Sequence, residues 1–477
     1  MDTTARFGFI FVAIMCAAPA AARGLYANGF DPPFIEPLFP QVDGEFQLPS
    51  GATSDQLAWL LSELAAGETT TIAEVNEHFD ASWLSQIPAA QTQTFVNSLR
   101  TSFPDAVVTD VVGVTPVRIT VVIDSPGSPP PSGFLSIGAR YSGARKIVQL
   151  GSSNYGGSVQ YPEDQTLTMT QAADKFVTLS ASPALLVGRI GSNGQCSAIV
   201  DRNATQLRAT ASIFKTWILA GVGRAIAAGL VSAEDPIALV ATELAPGGTI
   251  NSEPLGTVFP LGDLATLMMG ISDNTATDLL HEVIGRDHID GVIGNIGLAN
   301  PDVLRPILGI SEQFHVFRSF DLPTAQSFVN GTEAFQQQFV EEEIVPLGPQ
   351  TTGPYFHVDL LTSGTWRASP MDICQAFASL RRLPPGSEAL QTVDAAFGAG
   401  AAQPDVRQDW DRVWYKGGSL AASVDDFHVL THAWMLENAG GDPYVVIAMS
   451  NDSGGGINPF FVQSITGRLL ELVSKLP

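Results

Sequence analysis

Lysine is scarce in this chain: only Lys146, Lys175, Lys215, Lys416 and Lys475 occur in 477 residues. Lys and Arg together number 24 against 48 Asp and Glu, a net charge of −24. A surface this acidic repels nucleic acid and anionic lipid, so neither is expected as a partner. Cysteine is rarer still, with three residues and no Cys-x-x-Cys. His428 and His432 are four apart, but in a strand-like run they would stand about 13 Å from each other, too far to share a metal. No metal and no other cofactor is expected. Beyond the N-terminus no apolar stretch reaches the roughly 18 to 20 residues that a membrane span requires, so the mature chain is expected to have none. What the chain does hold is core: 45% of residues are hydrophobic and 15% charged, a globular composition long enough for two or three domains.

The first residues have the layout of a secretory signal. Arg6 precedes the apolar run 7–18, and the small residues Ala20, Ala21 and Ala22 follow. A cleaved signal over 1–22 and a secreted or periplasmic protein are the expectation. Cys16 follows Met15, a poor setting for a lipid anchor. Removing the signal leaves Cys196 and Cys374. An oxidising compartment permits a disulfide between them, but two cysteines this far apart prove nothing, and two structural thiols are the plainer expectation.

Periodicity divides the remainder. Residues 25–150 read as a small α+β domain, with helical patterns at 54–66, 72–78 and 89–99 followed by strand-like runs at 106–112, 118–123 and 134–141. The Gly/Ser-rich stretch that opens 151–164 reads as a linker. Residues 165–477 read as one larger α+β domain. Strands at 184–190 and 196–201 flank an Asn193-Gly194 turn, and an apolar helix covers 211–228. A mostly helical middle and a helix at 370–380 follow. Strands at 412–415, 427–436 and 444–449 and a final helix at 459–473 close the chain. Its sheet is then built from both ends of the domain.

Three short motifs carry chemistry. Ser212-Ile213-Phe214-Lys215 places a nucleophile and a lysine on one face at a helix start. A lysine inside an apolar helix needs a polar partner, and burial makes it a better base. Ser272-Asp273-Asn274 follows sixty residues later; taken alone it reads equally as a helix N-cap. Lys416-Gly417-Gly418-Ser419 ends a strand, and its glycines permit close backbone approach to a ligand, although alone it is a plain turn.

In this order and setting the three motifs resemble the S-x-x-K, S-D-N and K-T-G set of class A β-lactamases and penicillin-binding proteins. The resemblance covers about 165–477. It implies a five-stranded antiparallel sheet flanked by helices, with an all-helical subdomain. It implies that Ser212 attacks a carbonyl while Lys215 takes its proton. Ser272 would relay a proton to the leaving group, and Asn274 would bind substrate amide or Lys215. Lys416 would bind an anionic group and tune Ser272. Gly418 and Ser419 would line the substrate, with the N–H groups of Ser212 and Ser419 as the oxyanion hole. The substrate implied is a small ester or a β-lactam-like cyclic amide. A D-alanyl-D-alanine carboxypeptidase and a penicillin-binding sensor that acylates and stops are the alternatives. The sequence carries no signal for an oligomeric state.

Two departures qualify the resemblance. The third motif reads Lys-Gly-Gly, so a hydroxyl that commonly contacts a substrate carboxylate is missing at position 417. The E-x-x-x-N segment that activates deacylating water is also incomplete. Glu312 is the carboxylate nearest its expected place, and a solvated or capping carboxylate is its plainer reading. A surplus at about 320–365 reads as a surface insertion or a lid. The arrangement of domains is similar to the two-domain β-lactamase-like proteins of clavulanic-acid clusters, whose N-terminal domain is of steroid-isomerase or cyclase type. That likeness rests on 58–61 and on Val75-Asn76-Glu77-His78-Phe79. It makes Glu77 and His78 candidate pocket residues and implies esterase-like activity.

Overall fold

The computed structural model describes residues 38–126, 132–349 and 353–477. The expected signal at 1–22 lies outside the described residues.

The N-terminal part begins with the helices Ala52–Glu63, Ile72–His78 and Ala89–Ser102. The second starts at a capping box in which Thr71 and Glu74 satisfy each other's backbone N–H groups. Four antiparallel strands follow as a meander: β1 Val107–Thr115, β2 Arg118–Asp124, β3 Ser132–Ala139 and β4 Ile147–Tyr155. Alternation decides the faces of β2. Ile119, Val121 and Ile123 enter the core beneath the helices, so Arg118 and Thr120 point away from it. The fourth strand corrects the expected linker at 151–164, which begins as strand. Residues 151–155 are Gly-Ser-Ser-Asn-Tyr and show no apolar alternation; backbone pairing with 132–136 holds them.

The C-terminal part is built on a five-stranded antiparallel sheet of β5 Ser182–Ile190, β6 Cys196–Arg202, β7 Arg412–Ser423, β8 Asp426–Glu437 and β9 Tyr444–Asn451. Its order is β7-β8-β9-β5-β6, so the sheet is built from both ends of this part, as expected, with β9 meeting β5. The helix Pro459–Val473 packs on one face. On the other face the helix Lys215–Ala227 runs through the largest core, with Trp217, Ile218, Leu219 and Val222 fully buried. Each such side chain contributes roughly 1.5–3 kcal/mol. The fold is α+β and β-lactamase-like. One expectation is corrected: β7 does not end at Tyr415 but continues through Lys416-Gly417-Gly418-Ser419 to Ser423. Backbone pairing of Gly417 with His432 and of Gly418 with Thr431 carries the strand across the glycines.

Cys196 and Cys374 form a disulfide joining β6 to the helix Pro370–Arg381, which corrects the expectation of two separate thiols. The fold brings their Cα atoms to 6.2 Å although 178 residues separate them in sequence. The insertion forms helices Leu322–Val329 and Glu333–Phe339, with a small apolar cluster of its own around Phe317, Phe328, Val340 and Leu360.

The two parts dock through β1. Val114 N donates to Ala399 O at 2.9 Å and Ala401 N to Val112 O at 2.8 Å, so a loop of the larger part extends the small sheet at its edge. Arg407 donates to Val111 O at 2.9 Å, and Tyr141 to Asp263 at 2.8 Å. A side chain on Gly270 would meet Thr115 Cγ2 at 2.6 Å, so glycine there permits the approach.

Candidate active site

Ser212 stands in a tight helical turn, Ala211–Phe214, immediately before the long buried helix. Ala211 holds φ at +45°, a conformation that costs energy for a residue with a Cβ and is characteristic of functional turns. The turn is pinned on three sides. Thr210 N donates to Trp366 O at 3.0 Å, Phe214 stacks on Trp366 at 3.8 Å, and Thr431 Oγ1 donates to Thr210 O at 2.8 Å. Among the described residues the Ser212 hydroxyl has no hydrogen-bond partner; it opens into a cleft of about 490 Å³.

Lys215 projects from the next turn and is wholly buried. Its Nζ donates to Ser272 O at 2.7 Å, to Asn274 Oδ1 at 2.7 Å and to Ser272 Oγ at 3.1 Å. Burial pushes its pKa down to about 7, against the pull of Asp273 and Asp278. Ser272 also holds a positive φ, +59°. From β7, Lys416 Nζ donates to the same hydroxyl at 3.0 Å and to Gly417 O at 2.7 Å. Burial and the neighbouring charge of Lys215 hold Lys416 well below the ordinary lysine range. Ser272 Oγ therefore sits between two lysines whose protons are easily lost, which is the arrangement a proton relay needs. Asp273 is fully buried and caps the helix Asn274–Ile284 through Ala276 N at 2.8 Å, so the N-cap reading of this tripeptide is correct for its middle residue. Asn274 meets Lys215, one of its two expected partners.

Gly418 lies against the turn that carries Ser212. A side chain there would come within 2.6 Å of Ser212 N and of Thr210 O, so only glycine lets β7 approach. Ser419 follows at the exposed lip of the cleft. Gly417 has a different reason. A Cβ at 417 would fall 2.1 Å from Tyr415 Oη. The Tyr415 hydroxyl occupies the space beside Gly417 and hydrogen-bonds His432 Nδ1 at 2.8 Å. Burial and the neighbouring Lys416 push His432 down to about 4, so it is neutral at physiological pH. Sequence reasoning missed Tyr415, adjacent to the strand lysine, and considered His432 only as a metal ligand.

Glu312 does not join this group. It pairs with Arg286 and, at the start of its own helix, accepts from Gly309 N at 2.8 Å. Burial is the strongest single influence and opposes its ionisation, but Arg286, His281 and the bond from Gly309 N together hold the carboxyl below its ordinary value. Of the two plainer readings, a solvated or a capping carboxylate, the contacts fit the second, and they do not support the deacylation role expected from position alone. The same helix start, Ile310–Arg318, is held by the buried Asp278, which accepts from Ile310 N at 2.6 Å and Ser311 N at 2.8 Å. Neither Glu77 nor His78 lines the cleft. Glu77 is exposed, and His78 is stacked on Trp59 at 4.0 Å and bound to Gln56 at 2.9 Å. Nor does any described residue of the insertion line it.

Comparison with known proteins finds a family likeness over part of the chain. The model of the β-lactamase enzyme family matches residues 185–337. Solved structures similar to the chain include a β-lactamase from Chitinophaga pinensis DSM 2588, at 14% identity and TM-score 0.43, covering 64% of this chain and 97% of that one. A β-lactamase from Sphaerobacter thermophilus DSM 20745 is similar at 19% identity and TM-score 0.43, over 64% and 96%. PBP-A, solved as an acyl-enzyme complex with penicillin G, is similar at 15% identity and TM-score 0.42, over 64% and 97%. A search of curated proteins finds no match. The stretch matched by that family model, within the larger part of the chain, is β-lactamase-like.

Proposed function

We propose that this β-lactamase-related chain is a serine hydrolase that cleaves esters and cyclic amides through an acyl-enzyme on Ser212. The observation that carries the reading is Ser272 Oγ held between Lys215 and Lys416 on the wall of the cleft into which Ser212 opens. Near neutral pH a substantial fraction of Lys215 is free amine. It takes the proton of Ser212 as Oγ attacks the carbonyl carbon. The N–H groups of Ser212 and Ser419 receive the negative charge that develops on the carbonyl oxygen. The C–O or C–N bond then breaks, and the proton passes by way of Ser272 to the leaving group. Water hydrolyses the acyl-enzyme in a second cycle of the same transfers.

The engagement of Glu312 by Arg286 supports activated esters over penicillins as substrates. Among the described residues no carboxylate lines the cleft to activate the second water. The same observation favours a second reading, a penicillin-binding protein that acylates and stops. A fluorophosphonate and a fluorescent penicillin, with Ser212→Ala as control, test the core of the proposal. Labelling of Ser212 is expected, and failure of both reagents to label it sinks the proposal. Steady turnover of short acyl esters, rapid nitrocefin hydrolysis, release of D-alanine from a cell-wall peptide, or a burst without turnover then separates esterase, β-lactamase, carboxypeptidase and sensor. The reading includes export to an oxidising compartment, supported by the N-terminal pattern and the disulfide.

A further inference from the structure

The cleft has two walls, and only one belongs to the β-lactamase-like part. The other is the outer face of the small N-terminal sheet, which contributes Arg118, Thr120 and Ser136. We propose that the N-terminal domain is a working wall of the active site and that its Arg118 is a specificity residue, taking a carboxylate or similar anionic group of the substrate. The proposal rests on Ser212 being the nucleophile that attacks that same substrate.

Four observations converge on Arg118. First, strand alternation turns it out of its own core and into the cleft. Its Nη2 donates to Gln149 Oε1 at 3.1 Å, while its Nε is buried without a partner among the described residues. A guanidinium presents five donors in a planar fork, and an unpaired buried donor is costly unless a ligand meets it. The charge of the cleft is the second argument. In a chain of net charge −24, no Asp or Glu is among the described residues lining it, whereas Arg118 and Lys416 are. Asp273 is the carboxylate whose charge reaches Arg118, and it is committed to capping. Third, position 417 carries no hydroxyl, and the Tyr415 hydroxyl that stands beside it is engaged with His432. Fourth, the wall is fixed in place by the backbone bonds between Val112, Val114 and the 399–401 loop. The Thr120 and Ser136 hydroxyls, 3.1 Å apart, complete a polar surface beside the guanidinium.

The test compares two p-nitrophenyl esters that differ in charge, the butyrate and the glutarate half-ester. The ratio of their kcat/KM values is measured in the native protein, in Arg118→Ala and in Arg118→Lys. The native protein is expected to prefer the anionic ester. Arg118→Ala is expected to cut that preference about tenfold or more, mainly through KM, with Arg118→Lys recovering part of it. A merely structural Arg118 lowers both esters alike; an unchanged ratio therefore overturns the proposal. Binding is read independently by titrating benzylpenicillin into Ser212→Ala and into the Ser212→Ala, Arg118→Ala double variant by calorimetry. Affinity is expected to fall about tenfold in the double variant, and equal affinity, or no binding to either, overturns the proposal. If native Ser212 takes no fluorophosphonate and neither ester is turned over, the hydrolase reading falls while the titration still decides the role of Arg118.

Discussion

Two regions that acyl-enzyme chemistry would use are built to different degrees. Around Ser272 the polar atoms point at one another: two lysines share one serine hydroxyl, Asn274 steadies Lys215, and β7 closes on the turn that carries Ser212 through Gly418. At the start of the helix Ile310–Arg318 the carboxylates are just as well bonded, but to structure. Glu312 serves Arg286 and Gly309, and Asp278 serves two backbone N–H groups. Hydrogen bonding alone therefore does not mark a catalytic residue. What separates the regions is where the bonds lead: in the first to groups on the cleft, in the second to a helix end.

The contrast can be broken most decisively at Ser212. Ser212→Ala should lower ester turnover by about 10³-fold or more, measured as kcat/KM; a variant that stays active shows that the connected region is not the reactive one. Lys215→Met, similar in length, should cost roughly 10²- to 10⁴-fold. In the native protein the sign of the pH effect follows from the lowered pKa. The free amine predominates above about 7, so kcat/KM should rise from acid to mildly alkaline pH through an ionisation near 7. A profile that falls over that range removes Lys215 as base.

Smaller effects sharpen the comparison. Gly417→Thr restores the hydroxyl of the usual motif yet drives a Cβ to 2.1 Å from Tyr415 Oη. It should cost about 1–3 kcal/mol in chemical denaturation, and adding Tyr415→Ala should return part of it. Glu312→Gln should cost about 1–3 kcal/mol of stability through the Arg286 pair and the helix cap. The decay of the acyl-enzyme, followed by mass spectrometry, should stay within about twofold of native. A tenfold slower decay would move Glu312 into the chemistry and erase the contrast.

The residues proposed to acylate were legible in the sequence because each motif constrains backbone as well as chemistry. A serine and lysine one turn apart, a cap, and a strand lysine before glycines leave few alternatives once they occur in order. That one sheet is built from both ends of the domain was legible for a related reason: those strands must meet to bury their apolar faces, although their order was not. The disulfide was not, since only the fold decides which parts of a chain 178 residues apart come together. Strand β4 was missed because residues 151–155 pair through backbone and show no side-chain period. Arg118 and Thr120 were readable as the wetter face of a strand, but nothing local reveals that another domain covers that face.

Tyr415 and Gly417 behave as one unit. The hydroxyl missing from position 417 is present two residues upstream, carried on a ring long enough to reach across the pleat. The Tyr415 ring thus fills the room that a side chain at 417 would need, so neither position can be enlarged without the other giving way.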